Sequence, residues 1–275
     1  MKNKDIILQT DDINIIKKAK GVGITTFLFP VTSFTVGYQK TYNLDEIKEE
    51  AFILINRNLD NEDIDKLKVV LKELPSNIKG IVFEDLGLIN VLKDLDLIKV
   101  YNAKHLNCSS LSVNNIMDYV DTVILSTDLT YEEITTILNQ AKKQASIYAF
   151  GLNNIFYSRR TLISNYSKEY NVSMNKELEI KEDISKENFK VVENSYGTVF
   201  YSGKYYDALR LFKEDSIKYY FVNLAYLDNK NANLLLDNFH NNDYSLNNMD
   251  IMSSSYNLDK GTYYKLPPKE GDQNV

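Results

Sequence analysis

The sequence predicts an α/β protein, a TIM-like (β/α)8 barrel carrying a helical and β-hairpin insertion between its last two strands. Three observations lead there. Eight short apolar runs, rich in β-branched and aromatic residues, recur along the 275 residues. Longer segments of helical period lie between them. The runs are apolar throughout rather than alternating, as strands covered on both faces must be. Barrels of this class often run to about 250 residues as one domain, so one such unit fits the length.

In chain order the runs are 5-DIILQT-10, 23-GITTFLF-29, 51-AFILINR-57, 80-GIVFED-85, 97-LIKVYN-102, 121-DTVILST-127, 146-SIYAFGL-152 and 217-IKYYFVNL-224. The clearest helices are expected at 60-DNEDIDKLKVVLKEL-74 and 128-DLTYEEITTILNQAKKQ-144. The second opens on Asp128 and Thr130 as possible N-caps, with Glu132 and Glu133 where the helix dipole favours acids. Ile134, Ile137, Leu138 and Ala141 then fall on one face. After residue 152 the alternation stops. Residues 153–188 read as polar and helix-like, and 189-FKVVENSYGTVFYSG-203 reads as a hairpin turning at Asn194 to Gly197. Residues 1–244 are therefore expected to form one barrel domain that includes the insertion 153–203. Residues 245–275 form a C-terminal segment whose last ten residues are expected to fray.

Composition narrows the function. The net charge of −6 argues against a chain that binds nucleic acid by bulk electrostatics, DNA included, and leaves room only for a local basic patch. A single cysteine, Cys108, precludes an internal disulfide and a cysteine-ligated metal site within one chain. The start MKNKDIILQTDDINIIKK carries charges where a signal peptide needs apolar residues, and no apolar run approaches about 18 residues. A cytoplasmic protein with no membrane partner is the expectation.

None of the strong catalytic spacings is present: HExxH, CxxC, GxSxG and GxxxxGK[ST] are all missing. The fragment 21-GVGITT-26 precedes a strand instead of joining a strand to a helix, so it reads as a helix end. His105 and Cys108 could form a thiol–imidazole pair, although a lone cysteine more commonly just packs.

The barrel supplies a better filter, because such barrels carry their active residues at the C-terminal ends of the strands. That rule collects Asn56, Arg57, Glu84, Asp85, Asn102, Ser126, Asp128 and Gly151 with the loop Ser158–Arg159–Arg160, and Ser164 lies just beyond. Only four arginines occur, and three of them fall on this rim. Guanidinium forks suit carboxylates and phosphates, so the rim could grip an anionic ligand or an RNA backbone. The alternative is an internal ion pair, Arg159 or Arg160 against Glu84 or Asp85, that only fastens the insertion to the mouth.

Read together, 80-GIVFEDLGLINVL-92, 125-LSTDLTYEEI-134 and 151-GLNNIFYSRRTLISNY-166 resemble peptidase family U32, the collagenase-like peptidases. The stretch 193-ENSYGTVF-200 is similar to that family's hairpin with a glutamate ahead of Gly-Thr, and 259-DKGTYYKLP-267 to its C-terminal segment. The likeness spans roughly 50 to 265 and looks most like short Firmicute-type members without the extra C-terminal domain. It implies a barrel and a hydrolase of unassigned catalytic type acting on a peptide. Glu84 or Asp85 would then activate water, and Arg159 or Arg160 would stabilise the oxyanion or grip a substrate carboxylate. Asn56, Arg57, Asn102, Asp128, Ser158 and Ser164 would bind substrate. It equally implies two rivals: an RNA-modification protein or accessory subunit in base hydroxylation, and a non-catalytic partner of a longer paralogue. Several of the relatives that hydroxylate RNA bases or ubiquinone carry a cysteine-bound iron–sulfur cluster. Thr161 stands in the cysteine's place here and Glu84 stands where glutamine is usual, so no cofactor and no metal are expected.

Overall fold

The computed structural model describes residues 2–184, 186–251 and 256–258. Eight parallel strands close into a barrel surrounded by helices. They are β1 (Ile6–Gln9), β2 (Thr26–Pro30), β3 (Glu50–Ile55), β4 (Ile78–Phe83), β5 (Ile98–Asn102), β6 (Thr122–Leu125), the first half of β7 (Ala145–Ser158), and β11 (Ile217–Asn223). β11 pairs in parallel with both β1 and β7, which closes the ring. Each lies inside or beside one of the eight apolar runs of the sequence. The crossover helices are α1 (Ile13–Gly21), α2 (Asn61–Val70), α3 (Leu88–Leu92), α4 (Ser110–Ile116), α5 (Tyr131–Gln140) and α7 (Asn229–His240).

Burial on both faces explains the unbroken apolar runs. One set of residues, among them Leu8, Phe29, Ile53, Ile55, Ile81, Phe83 and Val123, packs outward against the helices. The alternate set, Ile7, Leu28, Leu54, Val82, Val100, Ile124 and Phe221, fills the barrel interior. Successive side chains on a strand point to opposite faces, so each run must serve two cores. In α5, Thr130 rather than Asp128 is the N-cap, closing a reciprocal capping box with Glu133. Ile134, Ile137 and Leu138 are buried as expected, but the helix stops before Ala141.

Between β7 and β11 the chain builds α6 (Leu162–Tyr170), β8 (Glu177–Lys181), β9 (Asn188–Asn194) and β10 (Gly197–Asp207). The hairpin β9–β10 turns at Asn194 to Gly197, where the turn residues stand. The stretch 153–188 is not simply helical, because β7 continues to Ser158 as an antiparallel partner of β10 and β8 adds to β9. The switch from barrel to insertion falls at Gly151. Its φ of +138° and a Cβ position 2.3 Å from the Tyr148 hydroxyl exclude a side chain there. β12 (Tyr256–Asn257) pairs with β10. The expected frayed tail and the motif 259–267 lie outside the described residues. No helix among those described is long and apolar enough to cross a membrane.

Candidate functional site at the barrel mouth

The alternation that fills the barrel also builds its mouth. Two residues beyond the interior Ile7, Leu54, Val82, Val100 and Phe221 stand Gln9, Asn56, Glu84, Asn102 and Asn223, and all five line one cavity of about 90 Å³. Tyr38, Lys104, His105, Thr127, Tyr148, Asn153, Asn154 and Tyr201 complete its polar lining. The same parity sends Arg57 and Asp85 to the other side of the wall.

Glu84 is the buried acid of this cavity. Its carboxylate lies 2.7 Å from Lys104 Nζ, with 14% of the glutamate side chain accessible. Burial pushes the Glu84 carboxyl above its usual value, and the Lys104 ammonium offsets only part of that rise. Lys104 reaches it from a positive φ of 53° in the turn after β5. That turn is fixed by the Asn102 side chain, which accepts the Lys104 backbone N–H at 3.1 Å. His105 and Asp128 flank the site 3.8 Å apart. The Cys108 thiol does not engage an imidazole. It is exposed, not packed, and donates to the His105 backbone oxygen at 2.6 Å.

The loop after β2 forms the opposite wall. Asn56 holds it by accepting from Val36 N at 2.9 Å and donating to Val36 O at 3.1 Å. Tyr201 donates to Gly37 O at 2.8 Å, and a Cβ on Gly37 would lie 2.6 Å from the Tyr201 hydroxyl. Burial pushes Tyr38 up to about 12 and Tyr148 and Tyr201 well above the ordinary phenol value, so these hydroxyls keep their protons.

The remaining candidates are placed elsewhere. Arg57 is buried, donates to Asp63 and to the Ser33 carbonyl, and lies with its guanidinium 4.0 Å from the Tyr196 ring centre. Asp85 accepts the Gly87 N–H at 2.8 Å. Arg159 is exposed and pairs with Asp60 at 3.6 Å, so the fastening pair expected between the arginines and Glu84 or Asp85 is not formed. Glu84 has Lys104 instead. Arg160 is exposed, and its backbone N–H donates to the Ser158 hydroxyl at 3.1 Å. None of Arg57, Asp85, Asp128, Ser158, Arg159, Arg160 and Ser164 lines the cavity.

Ser164 belongs to a second polar centre, built on Glu193. This carboxylate, 1% exposed, accepts the backbone N–H of Ile163 at 2.6 Å and of Ser164 at 3.2 Å. It also takes the Ser164 hydroxyl, the Thr198 hydroxyl at 3.1 Å and Lys176 Nζ at 2.6 Å. Burial alone would raise its pKa, but the bonds from Lys176, Ser164 and Ile163 outweigh it and hold the carboxyl below its usual range. Glu193 thus caps the free amides that open α6. The 159–164 segment and the 193–198 hairpin are two halves of one structural lock.

The end-of-strand rule on the middle strands does not reach Gln9, Tyr38, Lys104, Tyr148, Tyr201 and Asn223. Parity finds Gln9 and Asn223, because each follows an interior residue by two. Lys104 and the tyrosines carry no such signal. A cysteine-bound cluster does not fit: Thr161 is the N-cap of α6, and the lone cysteine lies on another loop. Among the described residues no group of three His, Cys, Asp or Glu side chains is arranged to hold a metal ion.

The sequence profile of Peptidase family U32 matches residues 38–204. No curated protein matches the sequence. Among solved structures, the C-terminal domain of a Desulfitobacterium hafniense DCB-2 protein aligns at 12% identity and TM-score 0.45 over 87% of this chain and 99% of that one. The Bacillus cereus spore cortex-lytic enzyme SleL aligns at 11% and 0.38, over 84% and 73% of the two chains. A chitinase from Chromobacterium violaceum ATCC 12472 aligns at 8% and 0.38, over 86% and 98%.

Proposed function

The chain belongs to peptidase family U32, and on that premise we propose that it hydrolyses peptide bonds at the barrel mouth with Glu84 as the acid–base group. The observation that carries this reading is the buried Glu84–Lys104 pair, facing a cavity rimmed by amide side chains. A carboxyl raised by burial is a better proton acceptor and donor near neutral pH than an exposed one.

Glu84 takes a proton from a water as its oxygen attacks the scissile carbonyl. The tetrahedral intermediate then expels the amine, which receives that proton from Glu84, leaving an acid and an amine. Lys104 steadies the carboxylate and offers its remaining N–H bonds to the developing oxyanion, the role first given to Arg159 or Arg160. The two arginines then serve the approach to the mouth and not the chemistry.

The RNA reading draws less support. Of the rim arginines on which a phosphate grip depended, Arg57 is committed to Asp63 and Arg159 faces Asp60. The test is cleavage of gelatin and of a blocked peptide library, followed by mass spectrometry. Wild type should cut and Glu84→Gln should not; equal product from both proteins, or none from either, overturns the proposal.

A further inference from the structure

We propose that Gln9, at the C-terminal end of β1, is the donor that orients a substrate carbonyl at the mouth. It takes its ligand class, a peptide, from the reading just given. A chain of hydrogen bonds decides which end of the Gln9 amide is free. Ala225 N–H donates to Asn223 Oδ1 at 2.9 Å, which turns the Asn223 amide nitrogen toward Tyr38, 3.5 Å from its oxygen. The Tyr38 hydroxyl, receiving there, gives its own proton to Gln9 Oε1 at 3.3 Å. With Oε1 taken, Gln9 Nε2 is the end left over. It meets no acceptor among the described residues, although Gln9 is only 4% exposed.

Buried amide donors are almost always paired, so an unmet one on a cavity wall is a place for an acceptor atom. The position suits a chain-like ligand. Gln9 and Tyr38 line both the cavity that holds Glu84 and a neighbouring cleft of about 360 Å³, flanked by Tyr42 and Tyr226. A peptide lying through the cleft would carry one carbonyl across the junction, where Nε2, itself covered in this structure, can take it after a small turn of the Gln9 side chain. Gln9 also lies outside the 38–204 stretch that matches the family profile, so the profile says nothing of it.

The probe is N-acetyl-trialanine amide, titrated calorimetrically into full-length wild type, Gln9→Met, Tyr38→Phe and Glu84→Gln, each checked for a native melt. Gln9→Met should bind roughly three- to tenfold more weakly, the worth of one neutral hydrogen bond, and Tyr38→Phe should lose part of that by freeing the amide to turn. In wild type the Gln9 side-chain amide signal, identified as the one missing from the Gln9→Met 1H–15N spectrum, should move on titration. Equal affinity for wild type and Gln9→Met with an unmoved signal, as for a donor that holds only water, overturns the proposal. So does a wild type that binds no tripeptide. Binding that depends on Gln9 while Glu84→Gln still cleaves would sink the Glu84 reading and leave this one standing.

Discussion

Two buried glutamates sit in the two halves of this molecule and titrate in opposite directions. Glu84, at the barrel mouth, has one cationic partner and a cavity beside it, and burial pushes its carboxyl up. Glu193, in the insertion, is surrounded by two backbone amides, two hydroxyls and a lysine, which hold its carboxyl down. Burial raises both carboxyls, and the balance between that rise and the donors each one meets sets the outcome. A carboxylate saturated with hydrogen bonds is a structural part. One that is under-supplied and open to a cavity is available for proton transfer.

The strongest way to break this contrast is to neutralise each in turn and follow cleavage. Glu84→Gln is expected to lower kcat about 10²- to 10⁴-fold with the fold intact, whereas Glu193→Gln should leave kcat near wild type once folded. Comparable losses from both would erase the distinction. Stability should show the reverse order. Glu193→Ala strands the Ile163 and Ser164 amides and Lys176, and should cost about 3 kcal/mol in urea denaturation.

Linkage sharpens the comparison further. Because the folded pKa of Glu193 lies below its ordinary 4.5, its stabilisation is present above that pH and is lost as pH falls through the lowered folded value. Glu193→Gln should therefore flatten the acid limb of a stability–pH curve. For Glu84 the sign reverses, since a raised folded pKa gives stability that is present below the ordinary 4.5 and lost as pH rises through the folded value. The advantage of wild type over Glu84→Gln should shrink as pH increases. Thermal melts between pH 3 and about 8 on the three proteins read both slopes. The smallest effect belongs to Arg159→Ala, which removes an exposed pair with Asp60 and should leave the thermal melt unmoved within measurement.

Much of this was readable before the fold was seen. The Glu84 position follows from the strand-end rule, and its inward direction follows from Val82 two residues earlier. Arg57 and Asp85 satisfy the same rule yet stand on the opposite parity, which is why neighbours in sequence part company at the wall. The pairing of 159–164 with 193–198 was visible as two motifs but not as one object, because a helix cap supplied from a hairpin about thirty residues away has no local signature.

The sequence by itself determined the barrel, since eight continuous apolar runs separated by helical segments have few other ways to bury both strand faces. It also determined that the mouth would be polar, through the residues two places beyond the interior ones. Only the tertiary structure decided the partners. Lys104 reaches Glu84 from the turn after the neighbouring strand β5, and Glu193 meets the opening of α6 from across the insertion. Tyr38, from the loop after β2, and Asn223, at the end of β11, set the Gln9 amide from places far apart in the chain. Pairing, burial and the resulting pKa depend on distances between segments, and a linear pattern carries no information about those until the ring has closed.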